Sequence, residues 1–164
     1  MGGANAPSAA ELGYVKGLTS AAQTQLDAKA TNALDASLAA GEWSGVIRTL
    51  TASGTITAGT LVSPVLATSL KWAVADVSTD LPVVGIALET KTNAAMKVLL
   101  CGRYKFASTQ SWTVGVELFR HATSDGLIQA GAPNTTTQKI QKIGWAEAAD
   151  TIFFNPSSDV FTVT

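Results

Sequence analysis

"ALDASLAAGEWSGVIRTLTASG" (residues 33–54) holds two kinds of text. Up to Ala40 it is alanine, leucine and short polar residues with no Gly or Pro, a composition that favours helix. Past Gly41 it turns to Trp, Val, Ile and Thr, cut by Gly45 and Gly54, and reads as strand. The reading places a break at Gly41. It predicts a helical stem and attachment segment over 1–41 and a β domain over 42–164.

Downstream of the break, short apolar or alternating runs alternate with turn residues. Strands are expected at "GVIRTLTA", "TLVSPVLA", "KWAVA", "VVGIAL", "AMKVLLC", "RYKFA", "VELFRHA", "GLIQA", "QKIQKIGWA" and "TIFFN". Between them lie "TASG", "VSTDLP", "TKTNA", "SDG", "GAPNTT" and "NPSSD", all rich in residues that favour turns. Many short strands with frequent turns predict a small antiparallel β-barrel or sandwich. "VVGIAL" and "KIGWAEA" each set Gly between apolar residues, as at a bulge or a close strand crossing.

Upstream, Ser8 with Glu11 and Ser20 with Gln23 both fit the capping box that opens a helix. The first helix is short, interrupted by Gly13 and Gly17. The second is expected from Ser20 to Ala40, with Gly41 as its C-cap. About twenty residues make a rod of roughly 30 Å. Its apolar row is Leu18, Ala22, Leu26, Ala30, Leu34 and Leu38, a spacing of four that drifts around the helix and makes no regular heptad seam. So narrow a face, built largely on small residues, is marginal alone. It calls for a partner surface: copies of itself, another protein, or its own β domain.

Composition narrows the function. The chain has 164 residues, formal net charge -1, 14% charged and 46% hydrophobic residues. A disordered chain would be charge-rich and apolar-poor. Lys and Arg are scattered, which argues against nucleic-acid binding. No run approaches the roughly 18 apolar residues of a membrane span, and no basic region followed by an apolar core marks a secretory signal. The "NTT" at 134–136 therefore carries no glycosylation argument.

Chemistry-bearing residues are sparse. Cys101 is the one cysteine, which excludes an internal disulfide and a cysteine-based metal cage, and it reads as a small apolar strand residue. His121 is the one histidine; Asp125 lies four residues on, across an expected turn. Neither a zinc site nor a nucleophile–base pair can be assembled from these. "GTITAGT" lacks the Lys and following helix of a phosphate loop. The twelve carboxylates are dispersed. No catalytic residue, no metal site and no cofactor is expected, and the chain reads as a non-enzyme. The four tryptophans, Trp43, Trp72, Trp112 and Trp145, are spread along the chain and are expected in a core or interface.

"ELGYVKGLTSAAQTQLDAKA" (11–30) is similar to a segment that recurs in tailed-bacteriophage structural proteins, especially tail fibres. The likeness runs through Glu11, Leu12, Tyr14, Gly17, Leu18, Thr19, Ser20, Gln23, Gln25, Leu26, Asp27, Ala28 and Lys29. The resemblance implies a homotrimer, with the Leu18–Leu38 row at the trimer interface. The β part resembles the small β domains of phage capsid cement (head decoration) proteins and fibre heads, on "AGTLVSPV", "VVGIAL", "KVLLCGRY", "WTVGVELF", "DGLIQ", "IQKIGWA" and "DTIFFNPSSD". That likeness implies a virion protein on the phage head surface, a cement protein contacting the major capsid protein or another virion protein. The alternative it carries is a trimeric tail or head fibre whose β head binds a host-surface glycan. A small carbohydrate-active enzyme or an intracellular β-barrel module is the reading from a different class.

Overall fold

Thirteen strands run through the described residues, 37–66 and 69–164 of a computed structural model, and none of these residues is helical. In chain order they are β1 (Trp43–Ala52), β2 (Thr55–Ile56), β3 (Leu61–Leu66), β4 (Leu70–Val74), β5 (Gly85–Ala87), β6 (Lys91–Thr92), β7 (Ala95–Lys105), β8 (Glu117–Arg120), β9 (Ile128–Ala130), β10 (Lys139–Ile140), β11 (Lys142–Ala148), β12 (Thr151–Phe154) and β13 (Phe161–Thr162). The mainly β expectation is met.

Nine strands form one sheet in the order β1-β4-β3-β5-β7-β12-β11-β8-β9, and β1 also pairs with β7. Five of them, β1, β4, β3, β5 and β7, therefore close a ring of pairings. A closed ring with an odd number of strands cannot be antiparallel throughout. The parallel pair falls between β1 and β4, at Thr51↔Lys71 and Ala52↔Trp72. That corrects the expectation of a purely antiparallel sheet; every other strand pairing among the described residues is antiparallel.

Two cores explain the run-on apolar text of the central strands. One cluster, Ala52, Val62, Trp72, Ala87, Met96 and Val98 with Ile56, takes side chains from all five ring strands. The other lies between β3, β5 and β7 and the layer of β8, β11 and β12, and includes Leu61, Ile86, Leu99, Tyr104, Leu118, Ile143, Ile152 and Phe154. Successive residues on a strand face opposite ways. Leu61 and Val62, Ile86 and Ala87, and Val98 and Leu99 each divide between the two clusters. β3, β5 and β7 are thus covered on both faces, and such strands read as continuous apolar runs.

The two glycines singled out in the sequence sit where backbones crowd. A Cβ on Gly85 would land on Val98 Cγ1 and within 2.9 Å of the Leu99 carbonyl oxygen. Gly144 has φ +153, a Cβ there would strike the Phe153 carbonyl, and the β11–β8 register shifts between Lys142 and Gly144. The bulge reading holds at Gly144 and the close-approach reading at Gly85.

One boundary moves. Residues 37–39 are irregular and 40–41 form a turn, so the expected helix does not extend to Ala40. The backbone here is drawn onto the sheet. Gly41 N–H donates to the Lys105 carbonyl (2.9 Å), Glu42 N–H to the Ala39 carbonyl (3.0 Å), and Ala39 N–H to Glu42 Oε2 (2.8 Å). Gly41 does take a positive φ of 79°, at a turn into β1. The rest of the expected helix, with Leu18, Ala22, Leu26, Ala30 and Leu34, lies outside the described residues.

Candidate functional site

Several polar side chains that the sequence singled out are engaged in hydrogen bonds and ion pairs within the fold. His121 Nδ1 accepts hydrogen bonds from the Thr123 and Ser124 amides (3.2 and 3.1 Å), which closes the turn after β8. Asp125 accepts from the Val77 amide (2.8 Å) and makes no pair with His121. Glu147 pairs with Arg103 (2.5 Å), Glu117 with Lys142 (2.5 Å), and Asp80 with Lys139 (2.6 Å). The Ser78 hydroxyl, then its amide, hold the Asp76 carboxyl below the usual carboxylate range; the Lys97 amide does the same for Glu89. Among the described residues no three of His, Cys, Asp and Glu gather as a metal site would require.

Two buried polar residues, which carry no motif in the sequence, fix a surface loop. Arg120 is 2% exposed, and its guanidinium donates to the carbonyls of Asp76 (2.6 Å) and Leu81 (3.3 Å). Burial pushes its pKa down from the ordinary arginine value. Gln141 is 1% exposed; its Oε1 accepts from the Val83 amide (2.7 Å), and its Nε2 donates to the carbonyls of Val83 (2.9 Å) and Ser157 (2.6 Å). Their one sequence signal is a polar residue inside an otherwise strand-like run. Both act on backbone, so they shape the molecule without supplying a reactive group.

Concavity is found at one end of β3. A groove of about 320 Å³ is lined by Thr57, Gly59 and Thr60 before β3, Phe106 and Gln110 after β7, and Leu127 before β9, among others. No lining residue carries a charge. The Phe106 ring stands edge-on against Tyr104 (centroids 4.7 Å apart) and Trp112 (5.4 Å), which fixes its orientation.

A second feature is a strand edge. β1 pairs with β7 from Trp43 to Thr51, but its other edge meets β4 only at Thr51 and Ala52. From Trp43 to Leu50 that outer edge has no strand partner among the described residues. Val46 is 60% exposed and Ile47 38%. A cross-strand row runs Ser44↔Arg103, Arg103↔Phe153, Phe153↔Trp145 and Trp145↔Glu117, from buried Ser44 to exposed Glu117. Trp145 stacks on Phe153 with centroids 4.6 Å apart and is 38% exposed. Trp72 and Trp112 are buried and Trp43 packs against the second core, as the sequence suggests; Trp145 is the half-exposed one. Leu38, the described member of the expected trimer row, is half-buried in the irregular segment leading to β1.

No family model, no curated protein and no solved structure matches this chain.

Proposed function

We propose that this chain is a structural protein of a tailed-phage virion, a homotrimeric capsid decoration (cement) protein that stabilises the head by covering joints between capsid subunits. The ring of β1, β4, β3, β5 and β7 is read as a small barrel with β12, β11, β8 and β9 extending from it. The observation that carries assembly is the outer edge of β1. A strand edge with no strand partner among the described residues, bearing exposed Val46 and Ile47, is an aggregation hazard unless something covers it. It begins two residues after the turn that joins it to the N-terminal segment, whose sequence resembles a phage trimerisation element. Copies held together by that segment would bring their β1 edges within reach of one another and of a shell beneath. A protein that binds only the assembled shell stabilises it by mass action, and the effect adds over many copies.

Phage lacking this protein is expected to adsorb normally and to release DNA on heating under milder conditions than wild type. Normal head stability with failed adsorption would overturn the cement role. The second reading, a fibre whose β head binds host glycan, is favoured by one observation: the uncharged groove floored by Phe106.

A further inference from the structure

The groove beside Phe106 is not used by assembly through β1, and its lining narrows what it can hold. We infer that it is a binding site for a neutral saccharide ring. A phosphate, carboxylate or nucleotide would call for a cation in the wall, and a metal ion or amine for a carboxylate. Neither kind of group lines it. The lining offers one aromatic ring, Phe106, held by its contacts with Tyr104 and Trp112, together with hydroxyl and amide groups. Thr57 is exposed and Thr60 half-buried, and neither hydroxyl makes a hydrogen bond among the described residues. Gln110 Nε2 donates to the Ser108 carbonyl and hydroxyl (3.0 and 3.1 Å), which orients the amide and leaves Oε1 to accept. An uncharged ring with an apolar C–H face and hydroxyls around its rim matches that set: the face against Phe106, the rim to Thr57, Thr60 and Gln110.

An independent observation points the same way. Tyr104 is 3% exposed as a residue, but its hydroxyl, unpartnered among the described residues, reaches solvent; the buried unpartnered atoms are Ser44 Oγ and Trp72 Nε1. The Tyr104 hydroxyl lies beside Gly59, in the groove wall. A Cβ on Gly59 would stand 3.4 Å from both Tyr104 Oη and Phe106 Cε1. The absent side chain leaves the Phe106 ring, which lines the groove, uncovered beside Gly59. The volume, about 320 Å³, is at the lower end of the range for small-ligand pockets and fits one or two sugar rings.

This inference deepens the fibre reading by naming where the ligand sits, but it is tested in solution, apart from adsorption. The full chain, labelled for amide NMR, is titrated with methyl glycosides of neutral hexoses and of N-acetylhexosamines, with inorganic phosphate as the charged control. Saturable shifts are expected at Thr57, Gly59, Thr60, Phe106, Gln110 and Leu127 with at least one glycoside, and none there with phosphate. Thr57→Val and Gln110→Ala should each weaken that binding about five- to tenfold while leaving the rest of the spectrum in place. No saturable shift with any glycoside, shifts confined to another face such as Trp145, or binding indifferent to both variants would overturn it. Saccharide binding together with normal adsorption of phage lacking the protein would keep the site and sink the fibre role.

Discussion

Replacing Val46 by Lys separates what β1 does in one chain from what it does between chains. Val46 is 60% exposed and lies opposite Cys101 on β7. In an isolated chain the substitution touches little, and a surface change of this kind stays within about 0.5 kcal/mol. In an assembly that covers the edge the arithmetic differs. Full burial of a Val side chain contributes about 1.5–3 kcal/mol, so the exposed share leaves roughly 1–2 kcal/mol to be gained per copy. A lysine forfeits that gain and sets an ammonium against the partner, a further cost of about the same size. The sum is about 3 kcal/mol per contact, roughly a hundredfold in association. Light scattering over a dilution series measures the assembly, and a thermal melt of the dilute protein measures the chain. Assembly unchanged from wild type would refute the role of the edge. A melt lowered by several degrees at full dilution would show that Val46 supports the chain's own core.

Leu26→Asp combined with Leu34→Asp should abolish the oligomer by placing unpaired charge in the stem contact, several kcal/mol per trimer, while near-ultraviolet circular dichroism of the β domain persists; an intact oligomer would shift the assembly role to the β heads. Gln141→Leu keeps the volume but strands the Val83 amide and the Val83 and Ser157 carbonyls. At about 1–3 kcal/mol for each group left dry, partly relieved by water, the expected loss is about 3 kcal/mol in urea denaturation, and a loss under about 1 kcal/mol would contradict the clamp. The turn at Asp76 should depend on acid. Its carboxyl titrates below the ordinary value of 3.8 because Ser78 bonds the ionised form, so its contribution is complete above that value and is lost as pH falls through the lower folded value. The Ser78 amide shift should follow that midpoint, and Asp76→Asn should remove it.

Much of the β architecture is legible in the sequence because its causes are local. Hydrophobic runs, Gly and turn residues locate most of the long strands, and the Gly-centred stretches correctly mark crowding at Gly85 and Gly144. The parts that escape depend on distant partners. β2, β6 and β13 are two-residue strands whose existence rests on pairing with β6, β2 and β10, respectively, which no local pattern encodes. β7 runs unbroken through Gly102, where the text suggests two strands, because Gly102 lies opposite Gly45 on β1 and Phe154 on β12. The parallel β1–β4 pair follows from closing five strands in a ring, a property of topology and not of either strand. The helix expectation runs too far because Ala39 and Ala40 favour helix locally, while Glu42 and Lys105 hold that backbone in a turn. The groove leaves no motif at all. Thr57, Phe106, Gln110 and Leu127 come from three separate loops, and their neutrality becomes visible only when they share a wall.

Self-assembly through an N-terminal stem that brings three β domains together is the central claim. Light scattering after size exclusion on the full chain, at high micromolar concentration, tests it most directly. A mass three times the 16.8 kDa of one chain is expected. A clean monomer at that concentration would contradict it.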